Sequence, residues 1–191
     1  MVTDIWITTD PHFMHGKFFL YGERGFNTPE EMCEQIVKNW NSVVKPNDIV
    51  YLLGDVVLND IDKGIEYLKQ LNGNIHIIRG NHDTNQKIEK YLECPNVVSV
   101  SWGEMIKHKK RMIFLSHAPT IYRTMGDNEN KQGIINIHGH THQKTNFLYE
   151  DNPYVYHAGM DSHNLTPVLI DDIIKEIDEK IKVLKEGRDN V

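Results

Sequence analysis

The chain has 191 residues, one or at most two domains' worth and ample for one sizeable core. Hydrophobic residues make up 39% and charged residues 25%, the balance of an ordinary soluble protein. The net charge of −6 argues against a non-specific grip on duplex nucleic acid, which needs a basic surface.

In chain order, residues 4–10 (DIWITTD) read as a strand that ends at a turn-forming Asp-Pro. Residues 28–44 read as a helix with Thr28 as N-cap, Pro29 at the first helical position and Glu31 completing a capping box. Its apolar stripe is Met32, Ile36, Val37, Trp40 and Val43. A buried strand follows at 48–55, a helix at 61–71, a third strand and turn at 74–83 and a short helix at 84–93. This βαβαβα pattern implies a parallel sheet with crossover helices. Residues 97–101, 104–108, 111–116, 134–138 and 154–158 then read as short strands, with HKKR (108–111) as a hairpin turn. They suggest a β-rich second layer packed on the first. Residues 171–187 form an amphipathic helix expected to pack on the same domain, so that 1–191 is one domain. Residues 13–27 and 118–133 fit no element, and polar loops of that length are often functional.

Cys33 and Cys94 have no metal-ligand spacing and read as two reduced thiols. The first residues lack the features of a signal peptide, and no apolar run nears the ~18 residues of a membrane span. A cytoplasmic protein is expected.

The chemistry concentrates where strands end. HGHTH, residues 138–142, holds three histidines in five positions. In extended backbone, i and i+2 point the same way, which would put Asp10 with His12 and His140 with His142. Asp55 follows the second strand, GNHD (80–83) the third, and His117 the strand at 111–116. Each has a plain alternative: Gly54-Asp55 as a turn, Asn81 and Asp83 as caps of the next helix, His117 as a core histidine. Together, at successive strand ends, they point to one crevice beyond the carboxyl ends of the strands. Imidazole, carboxylate and amide donors without thiolate suit Mn, Fe, Co, Ni or Zn rather than an iron–sulfur cluster. Seven such groups are too many for one ion and about right for a pair some 3.5–4 Å apart, the arrangement used for hydrolytic displacement at phosphorus.

This ordered set resembles the calcineurin-like metallophosphoesterase superfamily: Asp10-x-His12, Gly54-Asp55, Gly80-Asn81-His82-Asp83, His117 and Gly139-His140-x-His142. The resemblance covers residues 10–142. It implies an α/β fold, a four-layer α/β/β/α sandwich of two mixed β-sheets flanked by helices. It implies that Asp10, His12 and His142 hold one metal, that Asn81, His117 and His140 hold the other, and that Asp55 bridges them. The metals are divalent, Mn first, with Fe, Ni, Co, Zn and Mg as alternatives. A hydroxide between them would attack phosphorus, with His82 as general acid and Asp83 orienting its ring.

Other residues stand outside that pattern. His15, in a His-Phe-x-His run like that of small bacterial and phage members, is a candidate for touching substrate phosphate. Arg79 is a candidate for supporting the site or pairing with a surface carboxylate. Lys17, Arg24, Tyr122 and Arg123 are candidates for binding phosphate from the two long loops. His138 reads as sheet-buried rather than as a further ligand, and His157, Asp161 and His163, in a late loop within possible reach of the metals, read as ordinary surface or packing residues. The expected substrate is a small phosphate ester, a nucleotide among the candidates, rather than nucleic acid or a membrane. Small members without a large cap over the site suggest a phosphodiesterase. The alternatives are a phosphatase, a scaffold that kept the fold and lost catalysis, and a structural single-zinc protein. Neither the oligomeric state nor the native substrate is encoded in any motif.

Overall fold

The computed structural model describes residues 3–120 and 133–189. Two mixed β-sheets face each other, flanked by helices. The first sheet holds β1 (Ile5–Thr8), β2 (Ile49–Leu52), β3 (Asn74–Ile78), β4 (Val97–Ser101) and β9 (Val168–Leu169), in the order β4-β3-β2-β1-β9. Strands β1 to β4 run parallel, and β9 is antiparallel to β1. The second sheet holds β5 (Glu104–His108), β6 (Arg111–Leu115), β7 (Ile135–His138) and β8 (Val155–His157), in that order. It is antiparallel only between β5 and β6.

Helices α2 (Pro29–Val43), α3 (Ile61–Lys69) and α4 (Asn85–Leu92) are the crossovers of the first sheet. They bury Met32, Ile36, Trp40, Ile65, Leu68 and Tyr91 against Val50, Leu52, Ile75 and Ile77. The start of α2 follows its sequence signals. Thr28 Oγ1 accepts from Glu31 N at 3.1 Å. The box closes one residue early, because the Glu31 carboxylate accepts from Asn27 N at 3.0 Å rather than from Thr28. Between the sheets, Ile7, Leu53 and Ile78 meet Ile113, Leu115, Ile135, Ile137 and Tyr156. Helix α5 (Ile170–Asp189) adds Ile170, Ile173, Ile174 and Ile177 to this cluster. The Asp171 carboxylate ties α5 to the β5–β6 turn through His108 Nε2 (2.7 Å) and Lys109 Nζ (2.6 Å). That turn is tight, with positive φ at Lys109 (42°) and Lys110 (70°), as a two-residue hairpin requires.

Two sequence expectations change. The sequence pattern groups residues 97–101 with the second layer; they form β4, the edge of the first sheet, because α4 delivers them beside β3. Part of the unassigned 13–27 segment is a short helix, α1 (Phe18–Tyr21). Cys33 and Cys94 are buried and unpaired. No helix among the described residues is long and apolar enough to cross a membrane.

Candidate metal centre

The seven metal-ligand candidates converge at the carboxyl ends of β1, β2, β3, β6 and β7. Extended i, i+2 alternation does not bring them there. Asp10, His12, Asp55, His140 and His142 sit in left-handed backbone, with φ of 58°, 50°, 53°, 68° and 49°. A non-glycine residue held there costs on the order of 1 kcal/mol or more, and such strain gathers at functional sites. Each kink turns a side chain inward after its strand has ended.

Close backbone approach needs two of the motif glycines. A Cβ on Gly80 would lie 2.2 Å from Asp55 Oδ1, and one on Gly139 would lie 2.0 Å from Thr9 Oγ1. Alanine at either position would push apart the strand ends that carry the site.

The side chains form two groups. In the first, His12 Nε2 and His142 Nε2 are 3.0 Å apart. Asp10 Oδ1 lies 3.6 Å from the former and 3.8 Å from the latter. In the second, His117 Nε2 lies 2.9 Å from Asn81 Oδ1, 3.2 Å from His140 Nδ1 and 3.5 Å from Asp55 Oδ2. Asp55 Oδ2 also lies 3.9 Å from His12 Nε2 and 3.9 Å from His82 Nε2, so one carboxylate oxygen faces both groups. The ligand atoms of Asp10, His12 and His142 all lie within 4.8 Å of one another, as do those of Asp55, His117 and His140.

A cation fits these donors. Asp10 Oδ1 is buried with no hydrogen-bond partner, while its Oδ2 accepts from Thr9 Oγ1 and His140 N. Burial alone would raise the Asp10 carboxyl, but His12, His142 and His117 outweigh it and hold the group well below the usual carboxylate range. Asp55 is likewise lowered, with burial opposed by His117 and the His82 amide. Two imidazoles are fixed with their outer nitrogens turned in. His117 Nδ1 donates to Leu53 O at 2.7 Å, and His142 Nδ1 donates to Asp161 Oδ2 at 2.8 Å. Both Nε2 atoms then face the cluster.

Residues 7–159 match the model of the calcineurin-like phosphoesterase superfamily domain. The chain belongs to this superfamily. The uncharacterized protein MJ1445 of Methanocaldococcus jannaschii is 36% identical over 193 residues, spanning 97% of both chains. The gene 66 protein of Mycobacterium phage D29 is 25% identical, covering 97% of this chain and 100% of its own. The crystal structure of AQ665, a protein of unknown function from Aquifex aeolicus, superposes with a TM-score of 0.70 at 24% identity. It covers 91% of this chain and 99% of that one, and shows the same fold. Members of the superfamily hydrolyse phosphate esters with the help of bound metal.

Within this phosphoesterase frame the remaining candidates divide. His82 is half-exposed above the cluster, its amide donating to Asp55 Oδ1 at 2.8 Å. Asp83 does not orient the His82 ring. Its carboxylate accepts from Asp55 N, Val56 N, Gly80 N and Tyr91 OH, all buried, and so locks the β2 and β3 loops together. Neither Asn81 nor Asp83 caps α4; its N-cap is Thr84. Asp83→Ala is expected to cost on the order of 3 kcal/mol by orphaning those donors. Thermal melts should show the loss as a Tm lower by roughly 10 °C. An unchanged Tm would contradict this role.

His15 is buried at the site, its ring 5.6 Å from that of His12. Burial, then the His12 charge, push its pKa down to about 4, so it is neutral at pH 7. Arg79 stands at the second group and stacks over the Trp102 ring at 4.4 Å. Arg24 is no free phosphate binder. It is buried and donates to both Asp161 oxygens and to the carbonyls of Asp10 and Pro11. Lys17 is exposed, and Tyr122 and Arg123 lie outside the described residues. His138 is fully buried, as expected, with His157 5.5 Å away. His163 bonds to the Tyr156 hydroxyl at 3.1 Å.

Sequence reasoning missed two residues. The sequence favours a surface or packing role for Asp161 over a reach toward the metals, yet the short 3-10 turn Met160–Ser162 after β8 sets it against His142 and Arg24. Lys87, on α4, is buried and donates to Val57 O (2.6 Å) and His82 O (2.8 Å), fixing the turn that carries His82. Nothing in its sequence neighbourhood marks it.

Proposed function

We propose that residues 1–191 act as one two-metal phosphoesterase domain that prefers diesters. The observation behind this is the pair of converging donor groups about Asp55, with a cavity opening at each. Asp10, His12 and His142 are the first ligand set, Asn81, His117 and His140 the second, and Asp55 spans both. Manganese is the expected metal, since oxygen and imidazole donors suit it, with Fe, Co, Ni, Zn and Mg competing. Two such cations would polarise the phosphoryl oxygens, acidify water and spread the charge of the transition state.

The chain's own groups do the rest. His82 Nε2 delivers its proton to the leaving-group oxygen. Lys87 and the Asp55 carboxylate hold the His82 main chain in place. Asp161 keeps the His142 Nε2 lone pair turned toward the first set. Asp161→Asn is expected to weaken the tighter fit of that set, raising the Mn²⁺ Kd of one ion by roughly 10–100-fold. Calorimetric titration would register it, and two unchanged binding constants would refute the role.

The diester preference follows from shape. One cavity, about 340 Å³, is lined by His12, His15, Phe19, His82, His142 and Lys144. The other, about 390 Å³, is lined by Arg79, Asn81, Trp102, Phe114, His117 and His140. A diester has two organic arms for these two spaces, whereas a monoester leaves one empty. The buried, unpaired thiols suit a reducing, cytoplasmic setting.

The test is hydrolysis of bis-p-nitrophenyl phosphate against p-nitrophenyl phosphate, with Mn²⁺ and with chelator. The expected result is metal-dependent cleavage with the higher kcat/KM on the diester. The reverse preference makes the protein a phosphatase. No cleavage of either by protein holding two ions overturns the reading.

A further inference from the structure

Trp102 is unusual for a tryptophan. It is 76% exposed, while Trp40 is fully buried. It occupies the two-residue turn between β4 and β5, on the edge of the first sheet that carries the site. Arg79 enters the same corner, because its amide donates to Ser101 O at 2.7 Å. The guanidinium covers the indole at 4.4 Å and, among the described residues, has no carboxylate within salt-bridge distance. Asn81, His117 and His140 share the cavity with this pair. An exposed indole, a guanidinium with no carboxylate partner among the described residues and half of a metal centre therefore line one space.

We infer that Trp102 and Arg79 form a shelf for the nucleobase of a mononucleotide-sized phosphodiester. The inference rests on the phosphoesterase reading and names its substrate class. A nucleoside arm carries a flat heteroaromatic ring at a nearly fixed reach from phosphorus, with sugar hydroxyls and further phosphate oxygens between. The ring stacks on the indole face that the guanidinium leaves open, and the Arg79 N–H groups bond those oxygens. An aliphatic arm would gain nothing from a guanidinium at this place. Among the described residues the polar groups nearby are committed, so these set no preference for one base. Ser116 Oγ donates to Ala118 O and accepts from Asn136, and the Thr120 amide donates to Asn136 Oδ1. A long nucleic-acid strand is not the expected occupant of a chain with a net charge of −6.

The test compares thymidine 5′-(p-nitrophenyl phosphate) with methyl p-nitrophenyl phosphate on the Mn²⁺-loaded protein. Both lose the same leaving group and differ only in the retained arm. The nucleoside ester is expected to win by about 10-fold or more in kcat/KM, carried by KM. Trp102→Ala should bring the ratio close to one, and Trp102→Phe, which keeps an aromatic face, should retain most of it. A wild-type ratio near one, or a ratio untouched by Trp102→Ala, overturns the shelf. If neither ester is cleaved, the phosphoesterase reading has failed instead, and the shelf is judged by binding. Thymidine 5′-monophosphate should then quench the Trp102 emission, a signal lost in Trp102→Phe, and no quenching overturns it.

Discussion

Asp55→Asn is expected to lower phosphodiester kcat/KM by on the order of 10³-fold or more. The protein should also drop from two bound ions per chain to one or none. The size of the effect follows from position. Asp55 Oδ2 faces His117, His12 and His82 at 3.5, 3.9 and 3.9 Å. Asp55 Oδ1 accepts the His82 amide. Removing its charge weakens both ligand sets and loosens the turn that carries the proton donor. Asp10→Asn is the contrast, because Asp10 offers a ligand atom to the first set alone, and an asparagine oxygen can still accept the His140 amide, so the second ion should stay bound. Metal analysis of the two variants side by side reads this difference. An Asp55→Asn protein with two ions and near-normal turnover would contradict the bridging role.

His82→Gln should lose roughly 10²–10⁴-fold in kcat with both ions still bound. The His82 side chain is half-exposed and takes no part in packing the core, so its replacement should shift stability by no more than about 0.5 kcal/mol. Leaving groups provide a sharper criterion. A proton donor matters most when the departing alkoxide is basic and least when it is a p-nitrophenolate. The loss should therefore be large for an alkyl or nucleoside leaving group and small for an aryl one. Equal loss with both would mean that His82 acts on binding rather than on the leaving oxygen.

Much of this centre was legible because its residues sit at strand ends, where periodicity and turn chemistry are strongest. The helix at Pro29–Val43 was announced by Thr28, Pro29 and a stripe of apolar residues, and the HKKR hairpin by its turn. The convergence of Asp10, His12, Asp55 and Asn81 followed from the parallel βαβ order, and that of His117, His140 and His142 from their places after strands and from the family resemblance. The local geometry did not. Asp10, His12, His140 and His142 reach the site through left-handed kinks, which alternation cannot reveal. The place of β4 depends on where α4 returns the chain, a tertiary matter that a short VVSVS run does not encode.

The supporting shell was the least visible part. Asp161 lies 19 residues beyond His142 and Arg24 lies 137 residues before Asp161, so no local pattern links them. Asp83 has partners that its motif does not show. Its motif position suggested the neighbouring ring, whereas its four donors come from two loops and a tyrosine on α4. Lys87 shows the same limit, since a lysine in an early helical turn is ordinary until its ammonium is found under two carbonyls.

The central claim is that Asp55 joins two metal positions into one centre. The most direct measurement is a Mn²⁺ titration of metal-stripped protein, with bound ions counted per chain and diester hydrolysis followed at each step. Two ions per chain are predicted, with turnover rising as the second binds. Saturation at one ion, or full turnover with a single ion bound, would contradict the account.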